Sequence, residues 1–173
     1  MPMYDYGSVD ETGDLSYNAQ GAQNWGYDPE NYNVPEGSYS SDPSDPASRV
    51  TEMKQMVKGL HGNDIRVIMD VVYNHVYNAA NHSFNKTVPG YYFRYDDNGS
   101  LVNNSGCGND TASERKMMRK YIVDSVTYWA KNYNVDGFRF DLMGLIDTET
   151  MKEVRAALDE INRPSSSSAK AGI

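Results

Sequence analysis

Residues Ile65 to Tyr73 (Ile-Arg-Val-Ile-Met-Asp-Val-Val-Tyr) constrain the fold most. They form a β-branched, nearly continuous apolar run, the pattern of a parallel strand buried on both faces. The run leads directly into Asn74-His75, so polar groups collect at its C-terminal end. Parallel α/β folds build their sites at that end. Asp70 lies inside the run, where an unpaired charge is costly. It is therefore expected to have partners and to organise a site. His75 follows five residues later at the strand mouth, as a structural histidine or as part of the same site.

A second short strand, from Val135 to Leu142, ends in the same way. Its core is Gly137-Phe138-Arg139-Phe140-Asp141. Side chains two apart on a strand share a face, so Arg139 and Asp141 are expected to point together. A neighbouring guanidinium favours the charged form of a carboxylate. An ionised, oriented carboxylate at a strand end is what a covalent nucleophile requires. A structural ion pair at a strand terminus explains the same residues, and the pentad alone does not choose between the two.

Helical patterns alternate with these strands. Asp45-Pro46 opens a helix, with Asp as N-cap and Pro in the first turn. Val50, Met53, Val57 and Leu60 form its buried stripe, and Gly62 stops it. A second helix runs from about Ser113 to Asn132, with Met117, Met118, Tyr121, Ile122, Ser125, Val126 and Trp129 on its inner face. Trp129 reads as core. Thr150 and Glu153 match a capping box, followed by a third stripe of Met151, Val154, Leu158 and Ile161, with Pro164 as its stop. Asp147 and Glu149 read as charges at that helix entry.

Residues 1–44, rich in Tyr, Asn, Gly, Ser and acids, read as a long loop. A second loop, Val76 to Ala112, has no sustained period. A loop of that length inside a compact domain is functional or disordered, and Tyr91, Tyr92, Phe93 and Tyr95 argue for order, most of them as packing. The order of elements is α/β, with βαβ units of the kind that build a TIM barrel. Residues 1–162 read as one domain and 163–173 as a disordered tail.

A net charge of −8 argues against nucleic acid, which needs a basic surface. No apolar run is long enough to span a membrane. The opening Met1-Pro2-Met3-Tyr4 is no signal peptide, and localisation stays open. With Cys107 as the single cysteine, no internal disulfide framework is possible.

Asp70-Val71-Val72-Tyr73-Asn74-His75 and Gly137 to Asp141 resemble the first two signature regions of the α-amylase superfamily of glycoside hydrolases. Asn24-Trp25-Gly26-Tyr27-Asp28-Pro29, Val88-Pro89-Gly90-Tyr91-Tyr92-Phe93-Arg94 and Gly106-Cys107-Gly108-Asn109-Asp110 narrow the resemblance to the type I pullulanase family of debranching enzymes. Gln23 and Gly62-Asn63-Asp64 depart from the family pattern. The resemblance implies a (β/α)₈ barrel of which this chain supplies about three-eighths, roughly strands three and four with flanking helices and long βα loops. The missing strands would come from the rest of a longer chain.

It further implies an α-glucan substrate cleaved with retention, with Asp141 as nucleophile and Arg139 as its orienting cation. His75 would bond sugar hydroxyls, Tyr27 would stack on the sugar ring, Asp70 would organise the site and Met143 would shape a neighbouring subsite. The family's general acid, a glutamate on the fifth strand, has no counterpart in this chain. No cofactor is implied. Calcium is possible at the position matching Asn74 in amylase relatives, but debranching relatives vary, and a hydrogen-bonding role for Asn74 is the expectation.

Overall fold

The computed structural model describes residues 1–16 and 24–161. Gln23, Pro164 and the 163–173 tail lie outside the described residues. The architecture is mixed α/β with two small sheets. Strands β1 (Tyr4–Tyr6) and β2 (Pro29–Pro35) pair antiparallel, and β3 (Ile68–Val71) and β4 (Gly137–Phe140) pair parallel. Helices α1 (Pro46–His61), α2 (Ser83–Thr87), α3 (Lys116–Tyr133) and α4 (Thr148–Ile161) complete the chain.

The parallel pair sets the layout. Its register sets Ile68 against Gly137, Met69 against Phe138, Asp70 against Arg139 and Val71 against Phe140. A Cβ on Gly137 would lie 2.9 Å from Ile68 Cδ1, the end of an exposed side chain that can shift. Both strands are shorter than the apolar runs that contain them: β3 begins at Ile68 and ends at Val71, and β4 begins at Gly137 and ends at Phe140. Burial is also one-sided. Met69 and Val71 are in the core, whereas Ile68 on the opposite face is 59% exposed. The expectation of burial on both faces fails because, among the described residues, no element covers the face that carries Ile68, Asp70 and Arg139. Asp136 ties the base of the sheet to α1. Its carboxylate accepts from the Val67 N–H at 2.7 Å and meets His61 Nε2 at 2.8 Å.

The first 44 residues are not a loop throughout. They hold β1, β2 and a 3₁₀ turn at Gly37–Tyr39, and β1–β2 has shifts in register on either side of Asp5. Sequence composition hides these strands because tyrosine supplies their apolar faces. Tyr4, Tyr6 and Tyr32 are buried. Tyr32 sits 5.0 Å from Tyr73 and 5.5 Å from Tyr4, ring to ring. Each buried hydroxyl finds a partner, as it must. Tyr4 accepts from the Val72 N–H, Tyr32 donates to the His75 carbonyl at 2.6 Å, and Tyr73 pairs with Ser125 at 2.7 Å. Trp129 is fully buried, as its position on the inner face predicts, and its indole donates to the Tyr32 carbonyl at 2.9 Å.

The helices follow their signals with three differences. Asp45 caps α1 through the Ala47 N–H, and Met53 and Val57 are buried. Gly62 ends α1 in a right-handed conformation, and the left-handed turn falls on Asp64. Met117 is 49% exposed and off the inner face of α3. The start of α4 is capped by Asp147, which accepts from the Thr150 N–H at 3.1 Å. Thr150 is instead buried within the helix, and Glu153 pairs with Arg119. Arg119 of α3 also bonds Asp147 and Thr150, fastening α3 to α4.

The long loop is ordered. Phe93 is buried, and Phe84 of α2 stacks on Tyr92 at 4.6 Å. Its return is fastened by the Gly106–Asp110 motif, where Gly106 and Gly108 take positive φ. The Asn109 amide spans the Val76 N–H and C=O, and Thr111 bonds the carbonyls of Tyr73 and Asn74.

Removing the Tyr32 hydroxyl tests how far the N-terminal strands belong to the core. Tyr32→Phe leaves the His75 carbonyl without its buried donor and is expected to cost about 1–3 kcal/mol. Urea unfolding followed by circular dichroism measures it. A loss within about 0.5 kcal/mol, the range of a surface substitution, would show that this segment packs loosely.

Candidate active site

The site forms where β3 and β4 end. Their register puts Asp70 beside Arg139, and the two-residue period puts Asp141 on the same side as Arg139. Arg139 Nη1 lies 2.8 Å from Asp70 Oδ1 and 3.0 Å from Asp141 Oδ1. One guanidinium therefore bridges two carboxylates from neighbouring strands. The Asp141 N–H donates to the Val71 carbonyl at 2.8 Å, which holds the acid at the mouth of the sheet. Immediately after it, Leu142 adopts φ 45°. A left-handed conformation is unfavourable for a branched residue, and here it turns the chain from β4 into the 3₁₀ turn Met143–Leu145.

Tyr27, ahead of β2, reaches the same cluster. Its hydroxyl donates to Asp70 Oδ2 at 2.5 Å. Burial pushes the Asp70 carboxyl up, but the bonds from Arg139 and Tyr27 and the guanidinium charge outweigh burial and hold it below the usual carboxylate range. The same bond, followed by burial and the Asp70 charge, raises the Tyr27 phenol. Asp70 thus has the partners that its position inside an apolar run demands.

His75 is buried behind this cluster. Its Nδ1 is 2.6 Å from Asn74 Oδ1 and its Nε2 is 2.8 Å from the Tyr27 carbonyl. Asn74 Nδ2 donates to the Asp141 carbonyl at 2.9 Å. Both ends of the Asn74 amide therefore make hydrogen bonds within the chain. Sequence reasoning brings Asp70, Arg139, Asp141, Tyr27 and His75 to one place, and the structure does the same. Met143, 54% exposed, borders a groove of about 520 Å³ between β4 and α4, with Phe138, Phe140, Met151 and Val154. That groove contains none of the five clustered residues.

Asn109 and Thr111 support the site from behind, because they fasten the segment that carries Asn74 and His75. Their motif is visible in the sequence, but nothing local reveals that it closes on residues more than thirty positions away. Asp5, Glu11 and Glu36 form a separate acidic cluster, with one oxygen from each within 4.8 Å of the others. Arg49 already sits on Glu11 at 2.6 Å, and burial pushes Asp5 up to about 6. The Arg49 guanidinium offsets part of the charge of this cluster. No helix among the described residues is long and apolar enough to cross a membrane.

No family model matches the chain. Individual proteins do. The chain is 54% identical over 151 residues to a pullulanase of Bacillus subtilis (strain 168), covering 87% of this chain and 20% of the relative. It is 43% identical over 144 residues to chloroplastic pullulanase 1 of Arabidopsis thaliana, covering 81% of this chain and 15% of that protein. Among solved structures, the pullulanase of Paenibacillus barengoltzii in complex with maltohexaose and alpha-cyclodextrin superposes with a TM-score of 0.88 at 55% identity. That match covers 93% of this chain and 25% of the other. Type I pullulanase from Bacillus subtilis str. 168, complexed with maltose, matches with a TM-score of 0.86 at 50% identity, over 92% of this chain and 22% of that one.

By sequence and structure the chain belongs with the type I pullulanases, as a segment of their length: it spans about a fifth of the Bacillus subtilis relative.

Acid titration tests the electrostatics of the cluster. The depressed Asp70 contributes stability that is present above the ordinary aspartate value of about 3.9 and is lost as pH falls through its folded value. Arg139→Gln removes the guanidinium and leaves the effect of burial, so acid unfolding should begin at higher pH. Circular dichroism across an acid titration reads this. Coincident curves for the two proteins would mean that Arg139 does not hold Asp70 ionised.

Proposed function

We propose that this chain is the third-and-fourth-strand sector of a (β/α)₈ barrel in a pullulanase-type hydrolase that cleaves α-1,6-glucosidic bonds of branched α-glucans with retention. The observation that carries this reading is the Asp70–Arg139–Asp141 bridge at the C-terminal ends of two parallel strands. Barrel enzymes place their chemistry at that end. The open face that carries Ile68, Asp70 and Arg139 would then look into the barrel. The high identity to pullulanases supports the substrate class.

In the reaction, a carboxylate oxygen of Asp141 attacks the anomeric carbon. The glycosidic C–O bond breaks, and the departing oxygen takes a proton from a general acid. Water then displaces Asp141 from the sugar and yields its proton to the same group, now a base. The retaining geometry needs that second carboxyl about 5–5.5 Å away. In this reading it is contributed from outside these 173 residues, by the glutamate that the family carries on its fifth strand. Arg139 holds Asp141 in position. Asp70 anchors Arg139 and the Tyr27 ring, which stacks on the sugar. His75 bonds a sugar hydroxyl, and Met143 borders a neighbouring subsite. A second reading, an isoamylase-like specificity, draws on the 33% identity to chloroplastic isoamylase 3 of Oryza sativa over 153 residues. The higher identity to pullulanases favours the first.

Two measurements test the proposal. In the complete enzyme that carries this segment, Asp141→Asn should lower kcat on pullulan by several orders of magnitude with unchanged melting, since an amide cannot attack carbon. Near-normal turnover would remove Asp141 from the nucleophile role. The 173-residue chain alone should release no reducing ends from pullulan, because a general acid is worth about 10²–10⁴-fold. Turnover comparable to that of a whole pullulanase would mean that the acid lies within the chain.

A further inference from the structure

The two buried histidines of this chain make different demands on their protons. His82 Nδ1 accepts from the Phe84 N–H at 3.1 Å, and its Nε2 faces the Glu30 carbonyl at 2.8 Å. One acceptor and one donor suit a neutral ring carrying its proton on Nε2. His75 faces two acceptors. Its Nε2 meets the Tyr27 carbonyl, and its Nδ1 meets Asn74 Oδ1. The Asn74 amide has no freedom to turn, because its other end donates to the Asp141 carbonyl. A neutral imidazole has one N–H and cannot satisfy both contacts, so the arrangement requires the imidazolium.

The surroundings oppose one another over that charge. Burial disfavours the cation. The Tyr27 carbonyl favours it, as do the carboxylates of Asp141 beyond β4, Asp28 ahead of β2 and Asp110 in the long loop. Burial prevails and lowers the His75 pKa. Asp28 Oδ1 is itself buried without a hydrogen-bond partner among the described residues. The doubly bonded ring is thus the acid form, and near neutral pH one contact must open. The contact that remains is Nδ1–H to Asn74, the shorter of the two and the one locked to Asp141.

We infer that His75 is a proton-gated clamp: doubly protonated, it holds the Tyr27 carbonyl and withholds Nε2 from substrate; neutral, it releases Tyr27 and offers the Nε2 lone pair to a sugar hydroxyl. The inference rests on the α-glucan reading of the site and adds a binding-competent state to it. Below the His75 midpoint, the competent fraction falls tenfold with each pH unit, and apparent affinity falls with it.

The test has two arms, both on the complete enzyme carrying this segment. Exchange of the histidine C2 hydrogen, resolved by peptide mass spectrometry between about pH 4 and pH 8, reads the His75 titration without substrate. It should show a midpoint below that of an ordinary histidine, lowered further in Asp28→Asn. In the second arm, KM for pullulan should rise about tenfold per pH unit below that same midpoint. The rise should move to lower pH in Asp28→Asn and vanish in His75→Gln, whose side chain does not titrate. A His75 that stays neutral across the range, a KM that ignores the measured midpoint, or an acid rise that survives in His75→Gln overturns the clamp. Absence of pullulan hydrolysis at every pH overturns the glucan reading, and the exchange arm still decides the proton gate.

Discussion

The pairing of β3 with β4 in one register is the constraint on which the site depends. Asp70 lies opposite Arg139, and Asp141 follows two residues later on the same face. A slip of one residue would send Arg139 to the opposite face from Asp70 and strand a carboxylate inside an apolar strand. The ion pair and the hydrophobic pattern therefore specify the same register.

Behind this sheet, a network of buried aromatic residues holds the site residues in place. Tyr32 contacts Tyr4, Tyr73, Phe84 and Tyr121, and bonds the His75 carbonyl. Its own carbonyl receives the Trp129 indole. The N-terminal ribbon, α3 and the strand end that carries His75 thus meet at one side chain. Such a network combines apolar area with fixed hydrogen-bond directions, and so it orients a backbone as well as burying it. The strain at Leu142 lies at the margin of this rigid region, next to Asp141, where the chain must turn sharply from the ladder.

Much of the site was legible from local pattern. The polar ends of two apolar runs pointed to Asp70, His75, Arg139 and Asp141, because a strand's period and the cost of burying charge act on neighbouring residues. Asp45 as the α1 cap and Trp129 as core followed from equally local rules. Other features were not legible. Residues 1–44 lacked the aliphatic alternation that marks a strand, since their buried faces are tyrosines whose hydroxyls are satisfied from distant backbone. Asp147 rather than Thr150 caps α4 because Thr150 is drawn into the α3–α4 contact. Met143 follows Asp141 by two residues and, after the left-handed turn at Leu142, borders a groove between β4 and α4.

What the sequence by itself determined was which residues are polar at strand ends, which helical stripes are apolar and to which family the motifs correspond. These follow from short-range periodicity and residue chemistry. Only the tertiary structure decided that Asp70 and Asp141 share one guanidinium, that Tyr27 arrives from a separate segment to bond Asp70, and that His75 is enclosed by two acceptors. Those facts depend on the register and packing of segments more than forty residues apart, and residue pattern carries no distance between such segments until the chain has folded.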